Sequence, residues 1–158
     1  VLDRVLQISK NGFGLHSRFV TQFDPSLPPV RGDRDQLVQV FLNLTKNAVE
    51  ATSEKTAEIV MKTSYQHGVR FAAPGDGERV HLPLAISITD KGDGIPDDMM
   101  PHLFDPFVTS KLQGSGLGLA LVAKIIGDHG GIVECETTKT RTVFRIMLPM
   151  FQDREGIG

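Results

Sequence analysis

Asp90-Lys91-Gly92-Asp93-Gly94-Ile95-Pro96 stands at the end of a run, residues 82–90, whose apolar side chains alternate, with Leu82, Leu84, Ile86 and Ile88 on one face of a strand. Asp90 takes the next position on that inward face, so a carboxylate is carried to the edge of the core. Gly92 and Gly94 behind it let the backbone turn sharply and approach a flat ligand. An Asp-x-Gly-x-Gly turn by itself also serves as an ordinary strand-to-loop connection. Its weight comes from its neighbours in the chain: a helix bearing Asn43 and Asn47 before it, and Gly114-Ser115-Gly116-Leu117-Gly118-Leu119 after it.

Working outward, the spacing predicts an amphipathic helix over Val1–Asn11 closed near Gly12, then a strand over 13–23 and a rigid loop at Asp24-Pro25-Ser26-Leu27-Pro28-Pro29. Asp33 is a good N-cap, and Gln36 three residues later makes a capping-box-like pair. Leu37, Val40, Phe41, Leu44 and Ala48 give the i, i+3, i+4 stripe of a helix running to about Ser53. Residues 57–65 alternate as a strand, and the Gly- and Pro-containing stretch 66–81 is a hairpin extension or a loose surface loop. Residues 97–113 are polar and irregular and are expected to be the mobile region. A helix over 117–128 stops at Gly130-Gly131, and strands at 132–136 and 142–148 flank a Thr138-Lys139-Thr140 turn before Pro149. The pattern is α+β, about five mixed or antiparallel strands with three helices on one face.

The 158 residues, 40% hydrophobic, are enough for one domain with a real core. A net charge of -2 from 17 basic and 19 acidic residues leaves no basic field for nucleic acid. The single Cys135 forms no intrachain disulfide and suits a reducing cytosol, and no apolar run approaches membrane-spanning length, so a soluble cytoplasmic location without membrane contact is expected. The chain begins with Val rather than Met and reads as a piece of something longer. Residues 1–12 are expected to be a residual connection, 13–150 the domain proper and 151–158 a frayed tail.

Asn43 and Asn47 are one helical turn apart and project from the same flank. A side-chain amide oxygen is a hard neutral ligand suited to a magnesium ion that takes its other ligands from water and phosphate. Two surface Asn can also simply solvate a helix, but Asn is a poor helix former and its double use mid-helix needs a reason. A carboxylate at Asp90 can accept from the exocyclic amine of adenine, where guanine would present a carbonyl. The second Gly segment opens a helix, whose free N–H groups and dipole attract anions such as a triphosphate, although it is not a Walker A loop and a plain hinge would use similar residues. Thr109, Ser110 and Lys111 just upstream add hydroxyl donors and one positive charge near a terminal phosphate; Lys111 is equally a solvated loop charge. Phe104 and Phe107 are expected to anchor this segment to the core. The combination reads as a site for ATP with Mg2+.

Asn43-Leu44-Thr45-Lys46-Asn47-Ala48, Asp90-x-Gly92-x-Gly94, Phe104-Asp105-Pro106-Phe107 and Gly114-Ser115-Gly116-Leu117-Gly118-Leu119 resemble, in order and spacing, the N, G1, F and G2 boxes of sensor histidine kinases. The Asp24–Pro29 loop, the hairpin insert and Phe107-Val108-Thr109-Ser110-Lys111 resemble the nitrogen-regulation branch of that family. The resemblance implies a two-layer α/β sandwich of the Bergerat type. It implies Mg2+ on Asn47, phosphates facing Asn43 and Lys46, adenine on Asp90 beside Gly92, Gly94 and Ile95, and a lid over 96–115 that includes Thr109, Ser110, Lys111 and Gly114, leading to Ser115, Gly116, Leu117, Gly118 and Leu119. It also implies phosphoryl transfer to a histidine on a separate dimerisation domain, with a response regulator and a PII-type signal protein as partners.

None of His16, His67, His81, His102 or His129 lies in the His-Glu-x-x-Asn-Pro context of such an acceptor, so each is expected to be an ordinary structural or surface residue, and the fragment a monomer. Related hydrolases carry a Glu at the position of Asn43. An amide is no general base, although Glu50 on the same side of the helix keeps hydrolysis open. A nucleotide-sensing module that transfers nothing is the other alternative.

Overall fold

The computed structural model describes residues 1–30, 32–52, 58–66, 70–72, 79–105 and 118–150. Its centre is α2 (Arg34–Ala51), which begins where Asp33 Oδ1 accepts the Gln36 N–H at 3.1 Å. The second half of the expected capping box comes from elsewhere in the chain. The Asp33 N–H donates to His129 Nε2 at 3.0 Å, while His129 Nδ1 bonds the Ile125 carbonyl at 2.7 Å. Ring and cap therefore require the Nδ1–H tautomer, and the imidazole fastens the end of one helix to the start of another. Replacing Asp33 with Ala removes the cap bond, worth about 1 kcal/mol. For a domain of this size the melting temperature is expected to fall by about 2–4 °C, read by thermal unfolding.

Beside α2 lie α1 (Leu2–Asn11) and α3 (Gly118–Asp128). α1 inserts Val5 and Leu6 into the core, and Ser9, fully buried, returns its hydroxyl proton to the Val5 carbonyl at 2.7 Å. α3 ends in a Schellman motif: Gly131 N–H bonds Ile126 O at 2.9 Å, Gly130 N–H bonds Gly127 O at 3.0 Å, and Gly130 has φ 75°. Both glycines after the helix thus do what their positions suggest.

The helices cover one face of a mixed five-stranded sheet in the order β1-β2-β5-β7-β6, where β1 is Arg18–Gln22, β2 Glu58–Tyr65, β5 Leu84–Asp90, β6 Ile132–Thr137 and β7 Thr142–Leu148. β1 and β2 are parallel and the other pairs antiparallel. The register places Met61 opposite Ile88, Ile88 opposite Phe144 and Ile86 opposite Ile146, so a continuous apolar layer meets Val40, Phe41, Leu44, Val122 and Ile126 of the helices. Burying one such side chain fully is worth about 1.5–3 kcal/mol, which makes this layer the main source of cohesion. β3 (Arg70–Ala72) and β4 (Arg79–His81) form a separate antiparallel ribbon within the expected hairpin extension.

Two expectations shift. The first strand is shorter than 13–23, because Gly12 to Ser17 is taken up by turns, with Gly14 N–H bonded to Ser9 O and Ser17 N–H to Gly14 O. Leu82 does not share the face of Leu84, Ile86 and Ile88; it packs with Ala85 and Met147 in a second small cluster. Pro83 lies between Leu82 and the strand, so the alternation begins only at Leu84.

Candidate nucleotide site

β5 delivers Asp90 to the helix-covered side of the sheet, 2% exposed, and its Oδ1 accepts the Gly92 N–H at 2.9 Å. The loop then turns tightly under α2. A Cβ at Gly92 would stand 2.6 Å from the Ala51 carbonyl oxygen, so the absence of a side chain is what lets the loop sit against the last turn of that helix. Gly94 has φ 83°, and a Cβ there would collide with the Thr138 carbonyl. Gly94→Ala combines left-handed strain of about 1–2 kcal/mol with that collision. It is expected to lower both stability and nucleotide affinity, measured by denaturant unfolding and titration calorimetry.

α2 supplies the opposite wall. Asn43, Asn47 and Ala51 succeed one another at i, i+4 intervals, forming one row about 12 Å long at 1.5 Å per residue. Ala51 at one end touches the Gly92 position. At the other end, Asn43 Nδ2 lies 4.0 Å from where a Cβ of Gly118, the first residue of α3, would be. The row therefore runs from the Asp90 carboxylate to the N-terminus of α3, with half-buried Asn47 midway and exposed Lys46 beside it. A carboxylate at one end accepts hydrogen bonds, and a helix N-terminus at the other attracts negative charge, so the row offers a polar end and an anion-favouring end. Asn47 and Asp90 both make interactions within the protein.

The sequence-selected residues fall into three groups. Asn43, Asn47, Asp90, Gly92 and Gly118 converge on this row and its two ends, with Lys46 exposed beside it, while Gly94 lies against Thr138 on the sheet side of the loop. Ile95 packs against the core and donates its N–H to Thr137 Oγ1 at 3.0 Å, and Leu119 also packs against the core. Thr109, Ser110, Lys111, Gly114, Ser115, Gly116 and Leu117 lie outside the described residues, as do Phe107 and the tail 151–158. Phe104 meets Phe144 edge-on, centroids 6.4 Å apart at 82°, an anchor as its sequence context suggests.

Sequence reading missed the threonines beside Asp90. Thr142, 3% exposed, is its direct partner across the β5–β7 pair, and Thr137 Oγ1 lies 3.0 Å from Thr142 Oγ1. Opposed residues in an antiparallel pair share a face. The signal was present: Thr142 is in phase with the buried Phe144, Ile146 and Leu148, a polar residue at an apolar position.

Cys135 lies on the same face as Asp90, and burial first, then the charges of Asp90 and Glu136, pushes its thiol up to about 12 from 9.0. Because the folded value lies above the unfolded one, the associated stability is complete below pH 9.0 and is lost as pH rises toward about 12. Alkylation of the native chain is accordingly expected to stay slow at pH 9.0, where an unfolded control reacts readily.

The family model of histidine kinase-, DNA gyrase B-, and HSP90-like ATPases matches residues 32–152. The chain belongs to this family, and the three α-helices and five-stranded mixed sheet of its described residues are those of the ATP-binding catalytic domains of histidine kinases. Among curated relatives, it is 56% identical over 158 residues to the sensory histidine kinase/phosphatase NtrB of Azospirillum brasilense, covering 100% of this chain and 40% of that protein. The NtrB of Escherichia coli O157:H7 is 33% identical over 150 residues, covering 95% and 42%. The chain thus spans about 40% of the length of the curated relatives it matches. Among solved structures, the mycobacterial sensor histidine kinase MprB superposes with a TM-score of 0.75 at 25% identity, covering 96% of this chain and 94% of that one. A nucleotide-free form of the ThkA catalytic domain gives 0.71 at 28%, covering 94% and 92%.

Proposed function

We propose that this domain binds Mg-ATP along the Asn43–Asn47–Ala51 row and presents the γ-phosphate to a histidine on a separate dimerisation domain of an NtrB-like sensor kinase. The observation that carries the reading is the two-ended site, with a buried carboxylate held by Gly92 at one end and the start of α3 facing Asn43 at the other. Asp90 is the acceptor for the adenine amine. Asn43 and Lys46 are assigned to the phosphates, and Thr109, Ser110, Lys111 and the Gly114–Leu119 segment are assigned to the same ligand from their sequence alone. The donor set fits a magnesium ion bound through one protein amide, Asn47, and otherwise through phosphate and water; no group of three or more His, Cys, Asp or Glu among the described residues competes for it. When bound, the ion neutralises charge on the transferring phosphoryl group.

Phosphoryl transfer asks for positioning and charge neutralisation more than for a protein base, and an amide at Asn43 suits that task better than water activation. The acceptor domain, a nitrogen response regulator and a PII-type protein are the partners this reading entails, and the cytoplasm is its location. Among the described residues no helix is long and apolar enough to cross a membrane.

The test is transfer of label from γ-labelled ATP, with and without a separately supplied histidine-containing helical domain, while free phosphate is counted. Label on the added domain, dependent on Mg2+, is the expected result. Free phosphate alone would establish a hydrolase, and neither product despite ATP binding would establish a nucleotide-sensing module.

A further inference from the structure

We propose that Thr137 is a positioning residue for the nucleotide base, holding the loop after β5 to the sheet edge and setting the hydroxyl of Thr142 beside Asp90. This rests on the nucleotide reading above and adds to it a residue outside the sequence motifs.

At Gly94 the chain turns in a left-handed conformation and comes so close to the Thr138 carbonyl that no side chain fits. The next N–H, that of Ile95, can only donate, and Thr137 Oγ1 accepts it at 3.0 Å across a sequence separation of 42 residues. The Thr137 hydroxyl has one proton of its own. Three acceptors lie within reach: Thr142 Oγ1 at 3.0 Å, Thr138 O at 3.4 Å and Arg141 O at 3.5 Å. The shortest leads to Thr142, which is 3% exposed and directly opposite Asp90 in the β5–β7 register.

Ile95 N–H, Thr137 and Thr142 therefore form a short relay from the glycine loop to the inner side of the sheet, ending next to the carboxylate. If Thr137 donates to Thr142, the Thr142 proton is directed onward, into the space where the base is expected. Gly92 N–H fixes one oxygen of Asp90 from the loop side, and the relay fixes the loop itself from the sheet side. Removing the Thr137 hydroxyl leaves the Ile95 donor without its acceptor and Thr142 without its neighbour, while the β-branched shape that suits the strand is retained in valine.

Thr137→Val is expected to raise the Kd for ATP and for adenosine about tenfold. Transfer at saturating ATP should stay within about twofold, because the phosphate end is untouched, and Thr137→Ser should restore binding. Preference for ATP over GTP should fall in the valine variant, which general destabilisation would not cause. In the nucleotide-free wild-type chain the Ile95 amide should exchange with solvent slowly, a readout independent of whether any variant folds. Unchanged nucleotide affinity in Thr137→Val, failure of serine to rescue, or an Ile95 amide exchanging as in a free peptide would each overturn the proposal. A wild-type chain that binds neither ATP nor adenosine would overturn the nucleotide reading itself, a result distinct from a variant that binds as well as wild type.

Discussion

Replacing Asp90 with Asn is expected to weaken ATP binding about a hundredfold and leave the fold intact. The substitution is isosteric, and the amide oxygen can still accept the Gly92 N–H that shapes the turn, so the loop keeps its geometry. In the proposed binding mode, what changes is the group offered to the base: a charged acceptor becomes an amide that presents either a weaker acceptor or a donor. A hydrogen bond to a charged group contributes about 1.5–3 kcal/mol, and each 1.4 kcal/mol is a factor of ten, so one to two decades follow from the lost bond alone. An amide facing the adenine amine adds a donor-to-donor contact. The same change should erode discrimination against GTP, because an amide N–H can satisfy the guanine carbonyl that a carboxylate repels. A second readout comes from Cys135. The Asp90 charge is one of the causes that hold its thiol up, so the variant should alkylate at lower pH, though still above the ordinary range because burial is the larger cause. Calorimetric titration showing unchanged ATP affinity would remove Asp90 from the base pocket.

How much of this was legible beforehand follows from the range of the interactions. The helix over α2 and the inward phase of β5 rest on periodicities within a few residues, and both are found where the spacing of Leu37, Val40, Phe41 and Leu44, and of Leu84, Ile86 and Ile88, put them. The C-terminal glycine cap of α3 is likewise local chemistry. Leu82 departs from the face that alternation assigns it because alternation alone does not register that Pro83 ends the ladder. The capping of Asp33 by His129 spans 96 residues and the Ile95–Thr137 bond spans 42, and no local pattern announces either. The same holds for the proximity of Ala51 to Gly92, which closes one end of the row and depends on how α2 lies over the sheet. Asn43 and Asn47 stand out as two poor helix formers on one flank of α2, and Asp90 as a charge at an inward strand position; Thr142 carries the same mark as Asp90, masked by its place at the start of a strand after a turn.

Asn47→Ala is expected to reduce phosphoryl transfer at least about a thousandfold while leaving adenosine binding within a few-fold of wild type. The position is half-buried at the middle of the α2 row, a turn away from Asn43 and a turn away from Ala51, so in the proposed binding mode its amide is assigned to the middle of the nucleotide and not to the base. Alanine is the best helix former and asparagine a poor one, so the intrinsic propensity gained offsets part of the interaction that Asn47 makes within the protein, and a melting temperature close to wild type follows. Loss of one group aimed at transition-state charge lowers a rate by about a hundredfold to a thousandfold, and a group that also helps place the metal has the larger effect. The two ends of the site therefore separate experimentally: Asp90→Asn should weaken adenosine and ATP alike, whereas Asn47→Ala should abolish the Mg2+ dependence of ATP affinity and spare adenosine. Asn47→Asp supplies a stronger ligand for the cation but places a negative charge beside the phosphates, so it should retain Mg2+ dependence and still transfer slowly. If Asn47→Ala instead transferred phosphate within tenfold of wild type, the cation would have to be held by other groups, and the paired Asn of α2 would be a solvated helix flank.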